Sequence, residues 1–341
     1  MMPSSARLDI DTVLLVADVQ GGADAAVPSD QRRDLEKSSL RTISSLLEAI
    51  GDLGLPAIHI RTLEELSERA AQRQPGDLVL SIFGGERSRN RMALVPAICE
   101  TFGLRFIGPD VYGRIVCQDK EISKRLALQC GVSTPRCSLV RDEADLARVT
   151  SVPFPLVVKP NLEGSSIGIS ERCMVTDAFA MRRVAESLLH EFDQPVLIEE
   201  FVGGAEVCFN VIEGNITSEF RLAEVRVVDR PNYFDNHLFG AEIKAPWTGL
   251  DVVPLDGQLT DADRLALLRL VQAVGAMGYC RIDGKLKDGR FHFLELTPDA
   301  WLDPSGAFAL SFTKTGWSYP ELLARVLDSE RANRRRQSSS G

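Results

Sequence analysis

Strand-length apolar runs alternate with helical stretches in the first third of the chain, and this alternation restricts the fold more than any other feature. The segment "DTVLLVADV" (11–19) predicts a buried strand, and "DLEKSSLRTISSLLEAIGDLG" (34–54) predicts an amphipathic helix that ends at a glycine. The runs "LPAIHI" and "GDLVLSIFGG" predict two more strands, with the polar helix "LEELSERAAQR" between them. Strands that alternate with helices at this spacing form βαβ units, so we expect a parallel sheet.

Length, charge and cysteine usage limit the class of protein. A chain of 341 residues predicts two or three domains. The formal net charge of -9 gives no support for a nucleic-acid partner, which needs a basic surface. No apolar run approaches a membrane span, and the first residues lack a signal-peptide pattern. The 7 cysteines show no CxxC spacing, so we expect reduced thiols in the cytoplasm, without disulfides or a zinc site.

Two segments in the last 140 residues predict antiparallel hairpins. The segment "AEVCFNVIEGNITSEFRLAEVRVV" has apolar runs on both sides of "EGN", and "GYCRIDGKLKDGRFHFLELTP" has them on both sides of "KDG". Helices are predicted at 177–191, 260–277 and 318–329. After about residue 119 the pattern therefore changes from alternating α/β to α+β.

The stretch "VVKPNLEGSSIGIS" (157–170) places Lys159 at the end of a buried strand and follows it with glycines and serines. Taken alone, this pattern is commoner in a hairpin turn, with a strand on each side between 155 and 170, than in a phosphate site. It is not a P-loop, because no Gly-Lys-Ser/Thr follows the glycines. Its neighbours favour the phosphate site, since Lys120 lies on an earlier helix and "LIEEFV" (197–202) ends a strand with two carboxylates.

Asp283 and Glu295 lie at similar depth on the two strands that flank the "KDG" turn. Two facing carboxylates repel each other unless a cation lies between them. Mg²⁺ is commonly bound by one or two carboxylates, with water and nucleotide phosphates as the other ligands. Together with the two lysines and the Gly/Ser loop, this pair predicts a site for Mg²⁺ and a nucleoside triphosphate. The alternative is that the two carboxylates only form ordinary salt bridges and bind no metal.

These motifs, in this order, resemble those of the D-alanine–D-alanine ligases, which are carboxylate–amine ligases of the ATP-grasp superfamily. "VVKPNLEGSSIGIS" is similar to the family's lysine-proline and glutamate-glycine-serine-serine loop, and "QDKEISKRLALQCGVSTP" to its aspartate-lysine helix. "VLIEEFVGGAEVCFNVI" resembles the strand that holds adenine and ribose, and "GYCRIDGKLKDGRFHFLELTPDAWLDPSG" resembles the metal-site hairpin. The resemblance covers roughly Leu80 to Asp328.

The resemblance implies an ATP-grasp fold of the α/β (α+β) class. An N-terminal Rossmann-like domain with a parallel sheet (1–115) would precede two α+β subdomains that clamp ATP. The central subdomain (116–202) would act as a lid, the C-terminal one (203–330) would carry the metal site, and a disordered tail (331–341) would follow. The implied cofactors are ATP and Mg²⁺. The implied partners are a small-molecule carboxylate and an amine, and no association with a membrane is expected. A homodimer through the N-terminal domain is also implied.

The resemblance assigns roles to the matching residues. The residues that would bind ATP are two phosphate lysines, part of the Gly/Ser flap and the base- and ribose-holding strand, namely Lys120, Lys159, Gly164, Ser166, Glu199, Phe201, Val202 and Glu206. The Mg²⁺ ligands would be Asp283, Glu295 and Thr297. Arg281 would stabilise the oxyanion formed when the amine attacks, and Ser165 would close over the γ-phosphate and the first substrate. Lys244, in the segment "RPNYFDNHLFGAEIKAPW", would be the family's catalytic lysine.

The sequence departs from the family pattern in three places. Thr297 replaces an asparagine and is a weaker ligand, so either Asp299 substitutes for it or one ion is held loosely. Trp301 replaces a glycine, and its indole would fill space that the second amino acid uses in the family. The family's N-terminal glutamate motif is missing, and Asp34 and Glu36 are the nearest acidic candidates.

The loop "RPNYFDNHLFGAEIKAPW" allows two alignments. A five-residue gap places Lys244 on the family's lysine, and the ungapped version places Phe239 and Gly240 on its lysine and tyrosine. His237, in the same loop, is either an acid–base group or a solvated side chain.

We therefore expect an ATP-dependent ligase that forms an amide through an acyl phosphate, with release of ADP and phosphate. Its substrates would be small and amino-acid-like, but not two D-alanines. A D-alanine–D-alanine ligase of cell-wall synthesis and a nucleotide-binding protein without ligase chemistry are the alternatives.

Overall fold

The computed structural model describes residues 9–21, 32–85, 88–149, 152–214, 217–244, 249–255, 257–331 and 334. Most of the predicted C-terminal tail and part of the "QGGADAAVPSDQRRDLEKSS" stretch therefore lie outside the described residues. Within them, the chain forms three β-sheets with helices packed against each. No described helix combines the length and the apolar character that a membrane span needs.

The N-terminal sheet is parallel, which confirms the prediction from the alternating pattern. Its strands pair in the order β2-β1-β3-β4, with the bounds β1 Thr12–Val16, β2 Ala57–Ile60, β3 Asp77–Ser81 and β4 Arg105–Phe106. The connecting helices are α1 Leu40–Asp52, α2 Leu63–Ala71 and α3 Leu94–Phe102. Helix α1 starts where it does because the Ser39 side chain accepts a hydrogen bond from the Thr42 amide.

The central sheet has four strands in the order β5-β8-β6-β7, and all of its pairs are antiparallel. The bounds are β5 Cys137–Val140, β6 Leu156–Pro160, β7 Met174–Val175 and β8 Val196–Glu200. Its helices and those leading into it are α4 Val111–Gln118, α5 Lys120–Gln129, α6 Glu143–Leu146 and α7 Ala178–Phe192.

The prediction of a second strand within 155–170 is wrong. After β6 the chain makes tight turns, in which Ile167 N donates to Gly164 O (2.9 Å) and Ile169 N donates to Ser166 O (3.0 Å). Ser165 and Ser166 have φ values of 50° and 60°, in the left-handed region. Because such a backbone cannot continue a strand ladder, the next strand begins only at Met174.

The C-terminal sheet is antiparallel, in the order β11-β10-β9-β12-β13, and it contains both predicted hairpins. The strands are β9 Ala205–Ile212, β10 Glu219–Val227, β11 Leu250–Pro254, β12 Tyr279–Lys287 and β13 Arg290–Thr297. The helices are α8 Ala241–Lys244, α9 Asp261–Val274, α10 Ala307–Thr313 and α11 Tyr319–Asp328. Asp288 and Gly289 form the two-residue turn between β12 and β13 with φ values of 50° and 73°, as a type I′ hairpin requires.

The last two helices pack against the N-terminal sheet. Phe308 and Phe312 of α10 and Leu322 of α11 share one buried core with Val13 of β1 and Leu46 of α1. Helices α10 and α11 therefore connect the C-terminal part of the fold to the core of the N-terminal sheet. The predicted domain boundaries stay a prediction.

Candidate functional site

A cavity of about 690 Å³ lies where the three sheets meet. Its wall includes strand residues of the central and C-terminal sheets, together with residues that follow β1 and β3 of the N-terminal sheet. Every residue to which the resemblance assigns a role lines it, namely Lys120, Lys159, Gly164, Ser165, Ser166, Glu199, Phe201, Val202, Glu206, Lys244, Arg281, Asp283, Glu295 and Thr297. The fold thus brings together residues that are up to 177 positions apart in the chain, from Lys120 to Thr297.

Asp283 and Glu295 lie at similar depth on β12 and β13, as the sequence predicted, and a β-bulge between Asp283 and Gly284 makes them direct partners in the register. Arg281 Nε and Nη2 donate to the two oxygens of Asp283 at 2.7 and 2.8 Å. The Thr297 hydroxyl lies 3.4 Å from Asp283 Oδ2. This neighbourhood therefore offers two carboxylates and a hydroxyl, which are oxygen donors of the kind that Mg²⁺ prefers.

The described residues contain no group of three or more His, Cys, Asp or Glu side chains arranged as a metal site. A pair of carboxylates still fits Mg²⁺, because this ion usually keeps several waters and binds substrate phosphates. The donor set suits an ion held between protein and nucleotide better than one enclosed by protein alone.

Glu295 is surrounded by positive charge. Lys120 Nζ lies 3.3 Å from Glu295 Oε2. Burial opposes the ionisation of Glu295, but Lys120, Lys244, Lys159 and Arg281 outweigh it and lower the pKa of the carboxyl to about 2. Glu295 is therefore a carboxylate at neutral pH. The four cationic side chains around it also favour the binding of an anion in the cavity.

Glu199 is held by two lysines, one of which the sequence reasoning missed. Lys159 Nζ lies 2.5 Å from Glu199 Oε1, and Lys124 Nζ lies 2.8 Å from Glu199 Oε2. Burial would raise the pKa of Glu199, but the two ammonium groups reverse this and lower it. The signal for Lys124 was its place on α5, where Lys120, Lys124 and Ala127 recur at helical spacing on the buried face.

The Gly/Ser flap is attached to the N-terminal domain by Glu36. Its Oε1 accepts a hydrogen bond from the Gly164 amide at 2.6 Å, and its Oε2 accepts one from Arg91 Nη2 at 2.7 Å. Arg91 Nη2 also donates to Leu162 O at 2.9 Å. On its other side the flap contacts the loop before α8, since Ser166 Oγ donates to Phe239 O at 2.8 Å.

These contacts bear on the acidic candidates for holding a substrate ammonium. Glu36 lines the cavity, but Arg91 and the Gly164 amide occupy both of its oxygens. Asp34 pairs with Arg32 at 2.9 Å and is not part of the cavity wall. A substrate ammonium would therefore have to share the oxygens of Glu36 with Arg91 and the Gly164 amide, or those of Asp34 with Arg32.

The end of the cavity predicted for the base and ribose lies between β8 and the C-terminal sheet. The Phe201 amide donates to Pro155 O at 3.0 Å, so this amide already has a partner. Glu206 Oε2 lies 2.8 Å from the Nζ of Lys285, a buried lysine that the sequence reasoning also missed. Lys285 directly opposes Glu206 across β12 and β9, which explains the contact.

The loop after β10 places Lys244 in the cavity. Burial, and then the charge of Arg281, lower the pKa of Lys244, while Glu295 and Asp283 offset part of this effect. Phe239 also lines the cavity, with Lys244 Nζ 5.5 Å from its ring centroid. The His237 ring stacks on Tyr233 with the ring centroids 4.2 Å apart, lies 3.4 Å from Glu171 Oε1 through Nδ1, and is not part of the cavity wall, so neither predicted role of His237 is decided.

A family model described as "D-ala D-ala ligase C-terminus" matches residues 131–328, more than half of the chain. The chain belongs to this family. It is 26% identical to D-alanine--D-alanine ligase A of Bacillus cereus over 269 residues, which are 78% of this chain and 85% of the relative. It is also 26% identical to the D-alanine--D-alanine ligase of Xanthomonas axonopodis pv. citri over 297 residues, 85% of this chain and 89% of the relative.

Solved structures show the same fold. The D-alanine--D-alanine ligase of Bacillus anthracis, complexed with ATP, superposes with a TM-score of 0.71 at 19% identity and covers 97% of this chain and 99% of its own. The VanG D-Ala:D-Ser ligase of Enterococcus faecalis gives a TM-score of 0.70 at 17% identity, with 94% and 99% covered. The predicted ATP-grasp fold of mixed α/β class is thereby confirmed.

Trp301 and Asp299 form the cavity wall just after the β12–β13 hairpin. Trp301 is 36% exposed, and its ring packs on Gly306, where an added Cβ would lie 3.0 Å from Trp301 Cε3. Asp299 Oδ2 accepts a hydrogen bond from Arg114, a fully buried side chain of α4. The other oxygen, Oδ1, is buried and has no hydrogen-bond partner among the described residues, so the alternative that Asp299 replaces Thr297 as a metal ligand stays a prediction.

Proposed function

We propose that this protein is an ATP-dependent ligase that joins a carboxylic acid to an amine through an acyl phosphate and releases ADP and phosphate. The observation that carries the proposal is that one cavity contains two lysines, a Gly/Ser flap and a facing pair of carboxylates, which come from α5, the central sheet and the C-terminal sheet. ATP and Mg²⁺ are the cofactors, in keeping with the family and with the ATP complex of the Bacillus anthracis relative.

Lys120 and Lys159 would contact the phosphates. Phosphoryl transfer depends mainly on positioning and on neutralising charge, and both ammonium groups are buried and face the cavity. Asp283 and Glu295, with Thr297, would hold Mg²⁺, which neutralises phosphate charge when bound. Lys120 contacts the Glu163 carbonyl as well as Glu295, so it connects the base of the flap to the metal carboxylates.

Glu199, Phe201, Val202 and Glu206 would bind the adenine and the ribose. Glu199 would accept a hydrogen bond from the adenine amino group, and the backbone from Phe201 to Val202 would face the ring edge. Glu206 would hold the ribose through Oε1, since Lys285 engages Oε2.

Arg281 would stabilise the oxyanion that forms when the amine attacks the acyl phosphate. Its guanidinium is fixed by the two hydrogen bonds to Asp283, and a fixed donor in a dry site lowers the barrier more than a mobile one. Lys244 lies near the same charges and would add positive potential. Closure of Gly164, Ser165 and Ser166 would keep water away from the acyl phosphate.

We propose small amino-acid-like substrates other than two D-alanines. Two features support this: the indole of Trp301 takes up part of the cavity wall, and Glu36 is engaged by Arg91. Ligation of two D-alanines in cell-wall synthesis is the second candidate, and the names of the relatives favour it.

Release of ADP and phosphate in the presence of Mg-ATP tests the proposal. The protein is incubated with D-alanine alone, with a pool of amino acids, and without an amine or acid. ADP that depends on the pool, together with a new amide detected by mass spectrometry, supports the ligase with other substrates. ADP with D-alanine alone supports the second candidate. Nucleotide binding without ADP release under all conditions would contradict both and indicate a non-catalytic nucleotide-binding protein.

A further inference from the structure

Lys124 is a buried charge for which the proposed chemistry has no role. It lies on α5, is 1% exposed and is not part of the cavity wall. Its ammonium donates to Thr134 Oγ1 at 3.0 Å and to Phe293 O at 3.3 Å, and it lies 2.8 Å from Glu199 Oε2. The core thus fixes the position of this ammonium behind Glu199.

The other oxygen of Glu199 faces the cavity lysine. Glu199 Oε1 lies 2.5 Å from Lys159 Nζ, and both residues line the cavity. One buried carboxylate therefore has two ammonium partners, one fixed in the core and one at the cavity surface. The group as a whole carries one excess positive charge.

A phosphate that binds Lys159 must compete with Glu199 for the same ammonium. A buried carboxylate that loses its only counterion is strongly destabilised, so a simple Lys159–Glu199 pair would resist this exchange. Because Lys124 also contacts Glu199, this carboxylate keeps one counterion when Lys159 binds the phosphate.

We propose that Lys124 is a positioning residue for ATP binding, which neutralises Glu199 so that Lys159 can turn to the triphosphate. The inference rests on the proposed function, in which Lys159 contacts the phosphates. Lys124 itself touches neither nucleotide nor substrate. Its contribution is expected in the affinity for nucleotide, and it depends on the charge of Glu199.

A double-mutant cycle measures that dependence. Calorimetry gives the Kd of a non-hydrolysable ATP analogue with Mg²⁺ for the parent, Lys124→Met, Glu199→Gln and the double variant. We expect Lys124→Met to raise the Kd by about tenfold, which corresponds to about 1.4 kcal/mol. In the Glu199→Gln background, where no carboxylate needs a counterion, the same change should alter the Kd by less than about twofold.

Lys124→Gln is the second variant, because its amide can still donate to Thr134 and to the Phe293 carbonyl while the charge is lost. It should weaken binding like Lys124→Met, and it decides the question if the methionine variant does not fold. An unchanged Kd in either folded variant, or an equal loss with and without the Glu199 charge, would overturn the inference. A parent protein that does not bind the analogue would overturn both proposals, whereas binding without amide formation would overturn only the ligase.

Discussion

The Lys159→Ala variant is expected to fold and to lose nucleotide affinity. Breaking a buried ion pair typically costs about 3–5 kcal/mol of unfolding free energy, because it leaves an uncompensated charge. Here Glu199 keeps Lys124 at 2.8 Å. We therefore expect the unfolding free energy to fall by only about 1.5–3 kcal/mol, the usual value of a hydrogen bond to a charged group. Urea denaturation measures this loss.

The effect of Lys159→Ala on the free energy of ATP binding should be of similar size. One hydrogen bond between charged groups is worth about 1.5–3 kcal/mol, so loss of the Lys159 contact should raise the Kd for Mg-ATP by about 10- to 150-fold. ADP formation should become undetectable, because phosphoryl transfer also depends on this charge. Lys287→Ala is the matched control, since Lys287 is exposed at the end of β12 and does not line the cavity. A Lys159→Ala variant with the parent's Kd and turnover would refute the phosphate assignment.

Three further substitutions test other parts of the site. Glu295→Gln should keep the fold but raise the Mg²⁺ concentration for half-maximal activity by about tenfold or more, and an unchanged Mg²⁺ titration would place the metal elsewhere. Trp301→Gly should lower turnover with the native acceptor by up to about tenfold and leave the Kd for ATP unchanged; lost ATP binding would show that Trp301 is a core residue. Arg114→Met leaves the buried Asp299 carboxylate without its partner, so thermal unfolding should show a loss of about 3–5 kcal/mol. Arg114→Met combined with Asp299→Leu should recover most of it, and no recovery would mean that the pair is not coupled.

The two strands that carry the carboxylate pair could be predicted from the sequence, but their exact register could not. Counting outward from the turn residues Asp288 and Gly289 would pair Asp283 with Leu294. A β-bulge between Asp283 and Gly284 shifts the register by one residue, so that Asp283 meets Glu295 instead. The parallel N-terminal sheet could be predicted more directly, because its strands and helices alternate with clear periodicity.

The contacts of Glu36 and Glu199 could not be predicted in this way. Glu36 meets Arg91 and the Gly164 amide, which are 55 and 128 residues away in the chain. Such contacts depend on how the sheets are placed relative to one another, and no periodic pattern encodes that. Lys124 was recognisable in part, since a lysine on the buried face of a helix needs an acidic partner, but the sequence does not say which acid it meets.

In the Gly/Ser flap the local sequence pattern gave a wrong prediction of a second strand. "EGSSIG" was compatible with a strand on either side, yet Ser165 and Ser166 take left-handed backbone conformations, and no strand forms between Pro160 and Met174. Strained backbone of this kind is concentrated at ligand-binding segments, so the failure of the strand prediction coincides with the region proposed to close over phosphate.

The central claim is that the cavity couples ATP cleavage to amide formation, and a product balance tests it most directly. The protein is supplied with Mg-ATP and an amino-acid pool, and ADP and new amide are quantified in the same samples by chromatography and mass spectrometry. The account predicts that one amide forms for each ADP, and that both disappear in Lys159→Ala while Lys287→Ala retains them. ADP release without any amide, or equal release by the Lys159→Ala variant, would contradict it.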